Sequence, residues 1–203
     1  MSNQLTNGET FRPRGGYAMG FSAFFAISAL VYINIIDYGF RNAVSSIAWG
    51  LVVSAIFYLI FIHPKVVFYT EGLLIINPLQ SFKIGWHEIS EIDARFTMYV
   101  VHTVTGAKIH AFAAQAPGRY HSRTVHPNEV RGMRVNDSGM IRAGESPRSN
   151  SGVATAIARN RFNEFHSFNN ATQISFEHSF NKPAAYIFSA LLVVALVAQI
   201  LHP

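Results

Sequence analysis

Apolar residues fall into two kinds of pattern along this chain: three long unbroken runs, and between them a stretch of short alternating ones. The long runs are "AMGFSAFFAISALVYINII" (Ala18 to Ile36), "AVSSIAWGLVVSAIFYLIFI" (Ala43 to Ile62) and "AAYIFSALLVVALVAQIL" (Ala184 to Leu201), none of which carries a formal charge. Crossing about 30 Å of hydrocarbon takes roughly 20 apolar residues at helical rise, so each run reads as a transmembrane helix. The alternative, a buried core helix, fits poorly with two such runs back to back. The six-residue link "DYGFRN" allows only an antiparallel turn, which makes 18–62 a helical hairpin. The first run follows a 17-residue polar lead and has no small-x-small cleavage site before Asp37, so it is expected to be retained and not removed as a signal peptide.

Between the second and third runs the period changes from helical to alternating. "KVVFYT", "GLLIINP", "FKIGW", "ISEIDARFT", "MYVVHTV" and "AKIHAFAA" are short segments rich in Val, Ile, Phe and Tyr, punctuated at Glu71-Gly72, Asn77-Pro78 and Thr105-Gly106. They predict an antiparallel meander within 63–113 that needs a cover on one face. In "GVATAIARNRFNEFHSF", helical spacing returns: Ala154, Ile157, Ala158, Phe162 and Phe165 share one face, with Arg159, Asn163 and Glu164 elsewhere. This amphipathic helix, in the segment 153–182, either covers the sheet or lies along the membrane surface. The need of the sheet for a cover favours the first.

Composition and charge refine that outline. Half of the residues are hydrophobic and 13% are charged, about half the charge of an ordinary soluble domain. The absence of cysteine excludes disulfides, thiolate metal sites and a cysteine nucleophile. Arg12 and Arg14 precede the first run and Lys65 follows the second, while the link between them has Arg41 alone. By the positive-inside rule the protein is a multi-pass protein of the cell membrane, with the 1–17 tail and the 63–182 stretch cytoplasmic and the C-terminus outside. The formal charge of +5 comes from an arginine-rich insertion, 114–152, and not from a long basic run. It suits anionic lipid or an acidic partner, and no nucleic-acid-binding motif accompanies it. Arg119, Arg123, Arg131, Arg134 and Arg142 are its candidate partner- or lipid-binding residues, because guanidinium groups pair bidentately with carboxylates and phosphates.

The catalytic signals are weak. His102, His110, His121 and His126 are the densest of the nine histidines, but no pair has the i, i+4 spacing of zinc hydrolases. There is neither a Gly-x-Ser-x-Gly elbow nor a phosphate-cradling glycine loop. Asn34 and Asp37 lie at the end of the first run, where a solvated helix end is a simpler reading than an ion path. The chain is expected to be non-enzymatic and to need no cofactor or metal.

Two apolar runs followed at once by "HPKVVFYTEGLLIINPLQSFKIGWHEISEI" resemble the bacterial pleckstrin-homology-like (PH-like) domains of small actinobacterial membrane proteins of the low molecular weight protein antigen 6 type. The resemblance rests on a strand Val66 to Thr70, a turn ending in Gly72, a strand Leu73 to Pro78 closing on Asn77-Pro78, and Trp86 followed by Glu88-Ile89. It implies an α+β membrane protein: three transmembrane helices plus a cytoplasmic antiparallel sheet covered by one helix, with Gly72, Asn77, Pro78 and Trp86 as structural positions. It also implies a binding or scaffolding module and no chemistry. Eukaryotic relatives often grip inositol phosphates with Lys and Arg around the first hairpin, but here that turn is the short, acidic Thr70-Glu71-Gly72. The expected role is therefore an accessory subunit docked on other membrane-protein subunits, with an actinobacterial respiratory cytochrome supercomplex as a host by analogy. The alternative is a stand-alone anchored module that binds anionic lipid or a cytoplasmic protein.

Overall fold

The computed structural model describes residues 5, 7–116, 144, 146, 149–167 and 173–201. It is an α+β chain that divides into two compact units, one built from 1–13 and 64–179 and the other from 14–63 and 180–203.

The second unit holds the three apolar helices. Helix α1 (Arg14–Tyr38), helix α2 (Val44–Phe57) with its π-helical continuation Tyr58–Ile62, and helix α4 (Lys182–Leu201) are each long and apolar enough to cross a membrane. Helix α1 stops where Gly39 adopts φ +79°, a left-handed conformation that glycine enters without a Cβ penalty. The Asn42 amide there donates to the free Tyr38 carbonyl at 3.0 Å. Small residues let the helices approach: a Cβ on Gly50 would touch Val31 of α1, and Ala48 and Val52 of α2 pack on Ala195 and Ala198 of α4. Asn34 accepts a hydrogen bond from Ser46 at 3.1 Å, so its amide ties α1 to α2.

The first unit is the β structure, and it corrects the single meander expected from the sequence. Strands β1 (Glu9–Phe11), β2 (Lys65–Phe68), β3 (Gly72–Ile76), β4 (Gln80–Gly85) and β8 (Glu177–Phe180) form one sheet in the order β1-β2-β3-β4-β8. Strands β5 (Ile89–Ala94), β6 (Thr97–His102) and β7 (Lys108–Gln115) form a second, with every pairing from β5 to β7 antiparallel. The break comes at Trp86–Glu88, where a 3-10 turn carries the fully buried Trp86 inward. Two twisted sheets can enclose an aromatic of that size, whereas one short meander leaves a face open.

Two strands lie outside the predicted meander. The lead expected as a tail contributes β1, registered Glu9↔Phe68 to Phe11↔Val66, and the segment expected only as the return to the membrane after the amphipathic helix contributes β8. Both are short, mostly exposed edge strands, and neither has a pattern that periodicity can detect.

Helix α3 (Asn150–Ser167) lies across strands of both sheets. Its predicted apolar face, Ala154, Ile157, Ala158, Phe162 and Phe165, packs on the core of Val66, Phe68, Leu73, Ile75, Ile84, Met98, Val100 and Ile109. Each of the two phenylalanines contributes roughly 2 kcal/mol by burial. The ring of Phe162 meets Trp86 edge-on at 6.5 Å. Ser149 caps the helix, its Oγ accepting from the Gly152 N–H at 2.8 Å.

Candidate functional site

The outer face of the three-stranded sheet holds a recess of about 720 Å³, lined by Glu91, Asp93, Arg95, Phe96, Thr97, Tyr99, Lys108 and His110. Alternation puts it there. The side chains of Met98, Val100, Ile109 and Ala111 fill the core, so Thr97, Tyr99, Lys108 and His110 must point the other way.

Its floor is organised around Tyr99. The phenol donates to Asp93 Oδ2 at 3.1 Å and lies 3.4 Å from Glu91 Oε1, while Lys108 Nζ sits 5.1 Å from the ring centre. Burial, and after it the neighbouring Asp93 and Glu91 carboxylates, push the Tyr99 pKa up to about 12. The group is thus a neutral hydrogen-bond donor at physiological pH and a poor general base. Asp93 is held from the other side by Arg159, whose Nη2 is 3.4 Å from Oδ1. The same guanidinium donates to the Ile92 carbonyl from Nε at 3.1 Å and from Nη2 at 3.0 Å. Arg159, off the apolar face of its helix, is a clamp between α3 and β5.

At the rim, His110 Nδ1 is 2.9 Å from Thr97 Oγ1, and the β5–β6 turn raises Phe96, 74% exposed, with Arg95 over its ring. This rim also receives both ends of the arginine-rich insertion. The Ala116 N–H donates to the Phe96 carbonyl at 2.7 Å as the chain leaves β7. Gly144 abuts the main chain of Ala94 and Arg95 so closely that a Cβ would clash, and Ser151 Oγ holds its carbonyl at 2.7 Å.

Comparison with protein-family models, curated proteins and solved structures found no match.

The residues nominated from the sequence divide into two groups. Arg119, Arg123, Arg131, Arg134 and Arg142 lie outside the described residues. Gly72, Asn77, Pro78 and Trp86 lie within them: Gly72 opens β3, Asn77 and Pro78 stand in the turn from β3 to β4, and Trp86 follows β4. Gly72 faces Gly85 across β3 and β4, and the chain at Ile174 runs over this pair where side chains would block it. Trp86 donates its indole N–H to the Tyr69 carbonyl at 3.1 Å. Asn77 donates to the His110 carbonyl and accepts from the Phe112 N–H, both at 2.9 Å.

In the short acidic turn Thr70-Glu71-Gly72, Glu71 is only 6% exposed. Sequence reasoning missed the recess, although a signal was present: Glu91 and Asp93, Thr97 and Tyr99, and Lys108 and His110 each occupy alternate positions of adjacent strands. Among the described residues no group of three His, Asp or Glu is placed to hold a metal ion.

Proposed function

We propose that this protein is a membrane-anchored docking subunit that joins other membrane-protein subunits and catalyses no reaction itself. In this reading α1, α2 and α4 span the cell membrane, with the N-terminus and the β unit cytoplasmic and the C-terminus outside. The β unit is a PH-like module, a reading supported by its successive antiparallel strands, the Gly72, Asn77-Pro78 and Trp86 positions, and the helix that covers the sheets. Connections of one or two residues join β1 to α1, Ile62 to β2 and β8 to α4, so the module is fastened to its anchors three times.

One observation carries the docking role: both ends of the arginine-rich insertion are fixed at the β5–β6 turn, beside the mixed-charge recess and the exposed Phe96. An arm anchored at a rigid rim loses less entropy on binding than a free tail. Arg119, Arg123, Arg131, Arg134 and Arg142 would engage carboxylates of the partner through bidentate contacts, with the aromatic rim as the apolar contact. A respiratory cytochrome supercomplex of actinobacterial type remains the host suggested by analogy. Purification of the tagged full chain from membranes in mild detergent tests the proposal. Other membrane subunits are expected in fixed proportion, and recovery of the chain alone at stoichiometric purity would contradict it.

A further inference from the structure

We infer that the groove between the π-helical end of α2 and the start of α4 binds the glycerol and upper acyl region of one anionic phospholipid. This inference rests on the membrane reading of the helices.

The groove encloses about 240 Å³ and is lined by Ala55, Tyr58, Leu59, His63, Asn181, Ala184, Ile187 and Phe188. Its origin is local. From Tyr58 the helix widens to a π turn, closed by the His63 N–H donating to the Tyr58 carbonyl at 2.9 Å, and π turns recur at functional sites. Small side chains at Ala55 and Ala184 leave the space open.

The two ends of the groove differ in chemistry. The walls toward Leu59, Ile187 and Phe188 are apolar. At the other end Asn181 caps α4, its Oδ1 accepting from the Ala184 N–H at 3.2 Å, which turns its Nδ2 toward His63 Nε2 at 3.1 Å. Tyr58, 47% exposed, has no hydrogen-bond partner for its hydroxyl among the described residues.

The occupant must therefore be amphipathic. The volume falls below the 300–1,000 Å³ of sites that enclose a whole small molecule, so it suits part of a chain laid along the helices. Charge selects the head group: among the described residues no carboxylate lines the groove, and Lys182 follows Asn181. A phosphate diester near Lys182, with its ester oxygens in reach of the Tyr58 hydroxyl, satisfies both ends.

The test is native mass spectrometry of the full chain in mild detergent, titrated with phosphatidylglycerol or with phosphatidylcholine of the same acyl chains. The wild type is expected to retain one phosphatidylglycerol. Ala55→Phe, which fills the groove, should abolish retention, and Tyr58→Phe should weaken it by about fivefold, the net worth of one hydrogen bond. Lys182→Gln should remove the preference for the anionic lipid. Equal retention by wild type and Ala55→Phe, or Tyr58→Phe and Lys182→Gln variants that both behave as wild type, would overturn the inference. So would a partner helix that crosslinks into the groove. Carbonate extraction separates the two levels: a chain released into the aqueous fraction defeats the membrane reading, whereas a membrane-retained chain that holds no lipid defeats the groove alone.

Discussion

The side-chain amide of Asn77 donates to the main-chain carbonyl of His110 at 2.9 Å, joining the β3–β4 turn of one sheet to strand β7 of the other. The same amide accepts from the Phe112 N–H, so it acts as a one-residue strand where β7 departs from regular pairing with β6. Asn77→Ala should therefore leave two main-chain groups without partners. The expected cost is about 1–3 kcal/mol of stability. Asn77→Asp should fall between the two, because the carboxylate accepts from Phe112 but cannot donate to His110. Hydrogen exchange at the Phe112 amide reads this out: faster exchange is expected in Asn77→Ala and near-wild-type exchange in Asn77→Asp, and unchanged exchange in Asn77→Ala would contradict the bridge.

Trp86 is held by shape and by one hydrogen bond. Trp86→Phe keeps most of the apolar volume but leaves the Tyr69 carbonyl unpaired, at an expected cost of about 2 kcal/mol, while Trp86→Ala should cost about 3–5 kcal/mol through the cavity it opens. Denaturant unfolding followed by near-UV circular dichroism orders the two variants. Equal effects would mean that the indole hydrogen bond contributes nothing.

Why Trp86, Gly72 and Asn77 were legible in the sequence, and the recess was not, has a physical explanation. Turn chemistry and buried aromatics leave local marks: Asn77-Pro78 has to be a turn, and a lone Trp after a strand has to find a core. The apolar face of α3 was equally visible, since 3.6-residue spacing over 18 residues is a long signal. Sheet partition, by contrast, depends on how β4 leaves Trp86, which involves contacts across more than 70 residues to Phe162. β1 and β8 have three and four residues, too few for periodicity, and they pair through main-chain groups that any sequence carries. The clamp made by Arg159 was not legible because a cation on a helix is ordinarily solvated, and only the fold brings the Ile92 carbonyl and Asp93 within its reach.

The Tyr99 phenol gives a pH signature. Its folded pKa of about 12 lies above the ordinary tyrosine value of about 10, so the protonated form is favoured by folding. That stabilisation is fully present below pH 10 and is lost as pH rises from 10 toward 12, by roughly 2–3 kcal/mol at 1.36 kcal/mol per pKa unit. Tyr99→Phe should abolish this slope. Phenolate absorbance, taken as the difference between wild type and Tyr99→Phe, should titrate near pH 12 in the folded protein, and a midpoint near 10 would contradict the buried Asp93 contact.

Ser149→Ala removes the α3 cap and one of the hydroxyls near Gly144. A loss of about 1 kcal/mol is expected, together with faster hydrogen exchange at Gly152. A stability loss without faster exchange at Gly152 would place the effect elsewhere.

Docking of partners at the β5–β6 rim is tested most directly by photo-crosslinking in native membranes. A photoreactive residue replaces Phe96 at that rim, and in a control it replaces Val104, which is 83% exposed at the β6–β7 turn. Adducts are expected between position 96 and another membrane-protein subunit, with few or none from position 104, and with loss of the adduct when the five arginines are changed to glutamine. No adduct from position 96, or equal adducts from both positions, would contradict it.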